Sequence, residues 1–434
     1  MQKLSDKYPV EGTLIAAIIN EMMVIRKSIT LAICGLLGVA DSAFAQTWTQ
    51  TGVPNQFIPA VASSADGSKL VAVGGGNMGG SIYTSTNSGM TWASNDVFTA
   101  FVWWNSVASS MDGNKLVVVG DSAIITSTNA GATWVTNSAP NEAWTSVACS
   151  ADGNTFAAVA GVSASGGVGN ISAICISTNG GMTWMITSAP SNYWVSVASS
   201  ADGTKLVAAA MIGSSWHPDF IYLSTNSGST WMRSGAPSNA WSSVASSADG
   251  SKLVAACFPS ALIEGTLTSA GGIYTSTDAG ATWRSNNVPE QGFQAVASSA
   301  DGSRLVAGMN SGEIYTSTNS GATWQAENSF NASWNSFASS ADGSKLIGAA
   351  MAFSSSIYIS QVDPSPQLNL ASSGNHLTAS WVIPSTNFVM QRSSDFSSWT
   401  DVTNLPVLNL KLRKETSDGV RMGRRKAGRR SSRW

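Results

Sequence analysis

The sequence predicts an all-β chain: a seven-bladed β-propeller of four-stranded blades, closed by its N-terminal strand and followed by a short β-rich C-terminal segment. Three observations predict it. An eleven-residue phrase, "IYTSTNSGATW" at 314–324, occurs in six related copies that end at Trp92, Trp134, Trp184, Trp231, Trp283 and Trp324. A second phrase, of the type "SVASSADGSKLVAV", alternates with it. Its Asp-Gly pair falls at Asp66, Asp112, Asp152, Asp202, Asp249, Asp301 and Asp342, with gaps of 46, 40, 50, 47, 52 and 41 residues. A period of this size marks a propeller or a solenoid. Finally, "QTWTQTGVP" (46–54) reads like the stretch after each repeat Trp, as in "ATWVTNSAP", while the seventh unit stops matching at Ser360. The N-terminal strand is therefore expected to complete the last blade, leaving the ring without an open edge.

The chain begins with a targeting pattern (1–45). Arg26 and Lys27 precede the apolar run "SITLAICGLLGVA", and Ala43-Phe44-Ala45 forms an A-x-A cleavage signal. The true start is expected at Met22 or Met23. The mature chain then begins near Gln46, exported to a secreted, periplasmic or cell-surface location.

The propeller is expected over 46–361. Each unit holds runs such as "WTSVACS" and "KLVVVG", small or β-branched, and "IYTST", which alternates apolar and polar residues. Asp-Gly and Asn-x-Gly between the runs are hairpin signals. Residues 362–410 alternate like strands of a small module too short to close a sandwich, and "LTASW…FVMQRSSDFSSWTDV" within them resembles short C-terminal segments of secreted bacterial repeat proteins. Residues 411–434 turn abruptly basic, with 10 Lys and Arg against 2 acids. Two readings stand: a tail for anionic surfaces, or a segment where the reading frame is lost near Leu410. Either way disorder is expected.

Residues 46–410 carry 9 Lys and Arg against 19 Asp and Glu, a net of −10. That excludes a basic nucleic-acid footprint on the body. Cys34 leaves with the leader. Cys149, Cys175 and Cys257 replace small or apolar repeat residues, so buried free thiols are expected, with no metal and no cofactor. The expected partner is a glycan or a protein, bound by a monomer.

The phrase "STNSGATW" resembles the Asp-box, or BNR, repeat: Ser, any residue, Asp or Asn, any, Gly, any, Thr, Trp. The resemblance covers about 46–361 and points to the Asp-box propellers, which include sialidases, sortilin-type ectodomains and photosystem II assembly propellers. It implies that the boxes are structural turns between third and fourth strands, opposite the ligand face. The box residues are Asn87, Asn129, Asn179, Asn226, Asp278 and Asn319. The sialidase arginine clamp does not carry over. Arg233 and Arg284 follow a repeat Trp on the outermost strand, and Arg304 replaces the Lys of "DGSKL". No catalytic residue is therefore assigned.

Strand alternation places both repeated turns on one face. The other face receives the links between blades and the second-to-third-strand loops, which vary most: "GDSA" (120–123) is short, while 161–172, 211–220 and 258–272 are long. Variable loops on a rigid body are where function usually lies. Three residues before each repeat Val or Phe an aromatic recurs: Trp104, Trp144, Trp194, Trp241, Phe293 and Trp334, with Ile58 the exception. This ring is read either as inter-blade packing or as a platform for a planar ligand at the channel mouth. Trp216, His217, Asp219 and Glu264 are further loop candidates. One alternative is a glycoside hydrolase with a carboxyl pair drawn from Glu264, Asp219, Asp121 and Glu313. Another is a purely structural envelope protein.

Overall fold

The structure is a computed structural model. It describes residues 48–361, apart from 54–56, 76–79, 96–101, 141, 162–172, 213–216, 260–261, 264–265, 268–270, 328–331 and 352–355. It also gives the backbone of six strands between Gln367 and Arg424. The targeting pattern lies outside the described residues.

Seven four-stranded antiparallel sheets follow one another along the chain. We call them blades 1 to 7: 57–95, 104–136, 144–186, 193–233, 240–285, 293–326 and 333–361. The outer strand of blade 7 is Trp48–Gln50, which pairs with Tyr358–Ser360. Trp48 is buried, its ring 5.5 Å from Trp334 and 5.8 Å from Phe337. The expected closure by the N-terminal strand is what the fold shows. Among the described residues no helix is long and apolar enough to cross a membrane.

Each Asp-Gly turn is a capped hairpin between first and second strands. In blade 1 the Asp66 carboxylate accepts from Ser64 Oγ (2.6 Å) and from the Ser68 amide (2.9 Å), while Gly67 takes φ of 66°. A glycine is needed there because a side chain at that φ is strained. The same pattern of donors depresses the carboxyl pKa in every blade, to about 2 at Asp202, with the Ser200 hydroxyl the largest cause.

The box turns are as regular. In blade 1 Ser85 Oγ accepts the Gly89 amide (2.9 Å), Asn87 Oδ1 accepts the Thr91 amide (2.9 Å), and Trp92 Nε1 donates to Gly89 O (3.1 Å). The residue before the box glycine also sits at positive φ, between 52° and 57° at Ser88, Ala130, Ser227, Ala279 and Ser320, where blade 3 uses Gly180.

These turns also close the ring. The amide of Ala65 donates to Met111 O, Met111 to Ala151 O, Ala151 to Ala201 O, Ala201 to Ala248 O, Ala248 to Ala300 O, Ala300 to Ala341 O, and Ala341 back to Ala65 O, all at 2.7–2.8 Å. Lysines reinforce this belt: Lys205 Nζ reaches Asp249 O of the next blade, and Lys345 Nζ reaches Asp66 O across the closure.

The core is seven apolar clusters, each built from two adjacent blades. A bulge sets their composition. In blade 2 the pairing slips between Trp104 and Ser106, and blades 3 to 7 slip at the equivalent place. In a regular strand Trp104 and Val107, three apart, would face opposite sides. The extra residue returns them to one side, and both pack in the same cluster.

Cys149, Cys175 and Cys257 are free thiols. Burial pushes Cys175 and Cys257 up to about 12. Cys149 is only partly buried and donates to Ser150 O (3.0 Å), the bond that Ser109 makes to Ser110 O in blade 2.

The C-terminal residues supply further strands. They form two three-stranded sheets, and the basic segment supplies a whole strand of one: Gly419–Arg424 pairs antiparallel with Phe388–Ser393. Leu408–Lys411 pairs with His376–Ala379 in the other. Of the basic segment, Lys411 and 419–424 are described, both in strands. The stretch "VRMG" does alternate apolar and non-apolar residues, a strand pattern that its charge obscured.

Candidate functional site

The loop face is built from the starts of the first strands, the links between blades and the second-to-third-strand loops. Of the two readings of the recurrent aromatics, their burial supports inter-blade packing rather than a ligand platform. Trp104, Trp144, Trp194, Trp241, Phe293 and Trp334 are each 0 % exposed. The bulge turns them into the clefts between blades, where they meet other rings: Trp194 lies edge-on to Tyr222 at 5.2 Å and Trp241 edge-on to Tyr274 at 5.2 Å. They are packing residues with no face left for a ligand.

Two of them also reach the preceding blade. Trp241 Nε1 donates to Asp219 O (3.1 Å), near the start of the third strand of the preceding blade, and Trp334 Nε1 to Gly312 O (3.0 Å), in the loop of the preceding blade. The bulged residue beside the aromatic reaches the other way. Asn105, Thr145 and Ser242 donate to the carbonyls of Trp144, Trp194 and Phe293 in the next blade, at 2.8, 2.8 and 2.6 Å. Nothing in the repeat phrase signalled these bonds, because the bulge is invisible to a pattern of apolar spacing.

Trp216 and Glu264 lie outside the described residues, and of His217 only the backbone is described, at the start of the strand His217–Ser224. Asp219 is 6 % exposed and holds a joint between blades 4 and 5. Its carboxylate accepts from Asn192 Nδ2, and its backbone exchanges two hydrogen bonds with Asn239, at 3.0 and 2.9 Å. It fastens the base of the long blade 4 loop. Glu313 accepts from Ser311 Oγ (2.9 Å) in the short blade 6 loop.

Blade 2 has a short loop as well, Gly120–Ala123, closed by the Gly120 amide on Ala123 O (3.0 Å). Asp121 follows, its amide bonded to Trp103 O (3.1 Å) and its Oδ1 accepting from Asn105 Nδ2 (3.0 Å). Gly120 is pressed so close that a Cβ would stand 2.3 Å from Trp103 O. Beside this loop two aromatics reach the surface. Phe57 and Trp103 are partly exposed, their rings 6.1 Å apart and inclined at 55°. Each sits one residue before the buried position, Ile58 or Trp104, and was missed for that reason. Glu142, 5 % exposed, was missed too. It lies in the link into blade 3, near enough to raise the Cys175 thiol after burial has done most of it.

Charge separates the two faces. All five Lys of 46–361 and Arg304 follow the Asp-Gly turns. Arg284 bonds Gly321 O on the outer rim, and Arg233 lies over the Phe220 ring. The loop face carries Asp121, Glu142, Asp219, Glu290 and Glu313, of which Glu142 and Asp219 are buried. The described residues contain no gathering of three or more His, Cys, Asp and Glu fit to hold a metal ion.

No family model matches the chain, and no curated protein matches it by sequence. Solved structures match its fold. YCF48 from Cyanidioschyzon merolae is 14 % identical with a TM-score of 0.53, over 72 % of this chain and 98 % of that one. A structure of YCF48 bound to D1 peptide matches at 14 % identity and TM-score 0.53, over 73 % and 97 %. The GH74 xyloglucanase from Xanthomonas campestris matches at 14 % and 0.52, over 77 % of this chain and 59 % of the enzyme. At this identity the likeness establishes the propeller fold and nothing finer.

Proposed function

We propose that the chain is an exported, non-catalytic binding propeller of the Asp-box type, and that its loop face docks a protein partner. The observation that carries this reading is the unequal use of the two faces. The turn face spends its polar groups on its own closure, blade after blade. The loop face differs in every blade and carries acids that lie outside the repeat phrases. A variable, charged surface on a rigid body suits recognition. Among the fold neighbours, one is described as bound to a peptide and another as a xyloglucanase. The first kind of role fits this chain better, because Asp121, Asp219 and Glu313 are each fastened in a different blade, by Asn105, Asn192 and Ser311.

The test is to offer the purified full chain a peptide array and a panel of plant and bacterial polysaccharides. Saturable peptide binding without release of reducing ends supports the proposal. Release of reducing ends at a rate that Asp121→Asn or Glu313→Gln abolishes contradicts it. Export has its own check: protein recovered from outside the cytoplasm should begin at Gln46 on N-terminal sequencing.

A further inference from the structure

We propose that the outer rim of blades 2 to 4 is the interface of a homodimer, in which the edge strand Met185–Ile186 of blade 3 pairs antiparallel with the same strand of a second copy. Five of the eight exposed large apolar side chains among the described residues gather on this rim: Val135, Met182, Met185, Ile186 and Met232, each between 57 % and 71 % exposed. Chance would spread such residues over all blades of a repeat, yet blades 5 and 6 have none of the eight. Packing between blades joins the five into one strip. The link after Val135 lies against the blade 3 box turn that holds Met182, where a Cβ on Gly181 would stand 2.8 Å from Asn137 Nδ2. The link after Ile186 is fastened to the blade 4 box by Ser188 Oγ, which donates to Ser229 O (2.9 Å), three residues before Met232. The edge at the centre of the strip differs from the other outer strands. The blade 3 sheet ends on it, with Ile186 paired to Cys175 and Met185 to Ile176. Successive residues of a strand face opposite sides, so this edge is apolar on both. Every other outer strand holds at least one polar residue, such as Arg233, Arg284 or Gln325. Charge on an edge keeps other strands away, and residues 174–192 hold no charged side chain.

A second copy suits this surface better than a foreign chain. Residues 46–410 carry a net −10, so two copies repel except where charge is absent. A partner steered by charge finds nothing to read on the strip. Antiparallel pairing about a twofold axis is self-complementary, because the strand gives its copy the same groups that it receives. The strip amounts to roughly 500 Å² of apolar surface, toward the upper end for the largest patch of a monomer. Exposed Thr136, Thr183 and Ser188 border it and bring it toward the ~800 Å² per partner of a standard interface. Methionine, flexible and polarisable, is enriched in such interfaces. The interface lies on the rim and so is independent of docking at the loop face. It replaces the monomer expected from the sequence.

The full chain is followed by sedimentation velocity under reducing conditions, so that its free thiols cannot link copies. The expected mass is twice that of one chain at about 50 µM and falls to one chain below about 1 µM, as a micromolar interface requires. Met185→Lys sets a charge against its own copy and should weaken association by about tenfold or more. Its melting temperature should not change, because the side chain is exposed. A second readout is chemical. Ile186→Cys should form a linked dimer on mild oxidation, whereas Ala326→Cys, at the same position of blade 6, should not. A chain that stays monomeric at about 50 µM overturns the proposal, whether the strip is then bare or covered by another part of the same chain. So does a dimer that survives Met185→Lys in a folded protein, and so does equal linking of the two cysteine variants. Array peptides should bind the wild type and Met185→Lys alike. If they bind neither while the wild type is a dimer that Met185→Lys splits, the docking-face reading falls and the rim interface stands.

Discussion

The two faces of this propeller are made from the same repeat and have opposite uses for their polar side chains. On the turn face an Asp caps its own hairpin, a Lys reaches the next blade, and seven amides close a belt from Ala65 back to Ala65. On the loop face the aromatics turn inward at a bulge, the bulged residues clamp adjacent blades, and the acids change from blade to blade. Repetition marks structure here. Where seven blades agree, the residue holds the ring, and where they disagree it is available for recognition.

That contrast can be broken by substitution. The largest effect should come from Trp334→Ala. It empties a fully buried site packed on Trp48 and Phe337, and leaves Gly312 O without its donor. A loss of about 3–5 kcal/mol is expected by chemical denaturation. Trp103→Ala, on the exposed neighbour position, should cost under about 1 kcal/mol. Equal losses would mean that Trp103 is also core.

Next comes Gly321→Ala in a box turn. Gly321 has φ of 82°, and a Cβ would stand 2.6 Å from Thr275 Cγ2. The expected cost is about 1–2 kcal/mol, read as a lower melting temperature.

Acid should then separate the faces. The Asp-Gly carboxyls have folded pKa values below their unfolded ones, because the native turn donates hydrogen bonds to the ionised form. Their stabilisation is fully present above the unfolded value near 4 and is lost as pH falls through the folded value, about 2 at Asp202 and Asp301. Melting temperature should therefore drop between about pH 4 and pH 2, and Asp202→Asn should flatten that drop. A curve unchanged by Asp202→Asn would deny the cap its role.

The smallest effect belongs to Cys149→Ser. Six blades already have serine at this position, and Ser109 makes the equivalent bond. Stability should shift by less than about 0.5 kcal/mol.

The architecture was legible because the repeat spells it out. Asp-Gly spacing counted the blades, and Trp48 stood where a repeat Trp belongs. The direction of the aromatics was not legible. Three residues separate Trp104 from Val107, and only the inserted bulge residue decides whether they share a side. An error of one residue moved attention from Trp103, which is partly exposed, to Trp104, which is buried. The polar joints of Asn105, Asn192 and Asn239 were hidden for another reason: they join segments far apart in sequence or sit in links that vary between blades. The strand Gly419–Arg424 was masked by its arginines, which outweighed a short alternation.

The most direct test of the account is a double comparison on the full chain, with peptide binding and melting temperature measured together. One variant carries Asp121→Asn and Glu313→Gln on the loop face, and the other carries Asp66→Asn and Asp202→Asn on the turn face. The account predicts that the first loses binding at unchanged melting temperature, while the second loses melting temperature and keeps its affinity while folded. Loss of binding in the turn-face variant, with the loop-face variant binding normally, would contradict it.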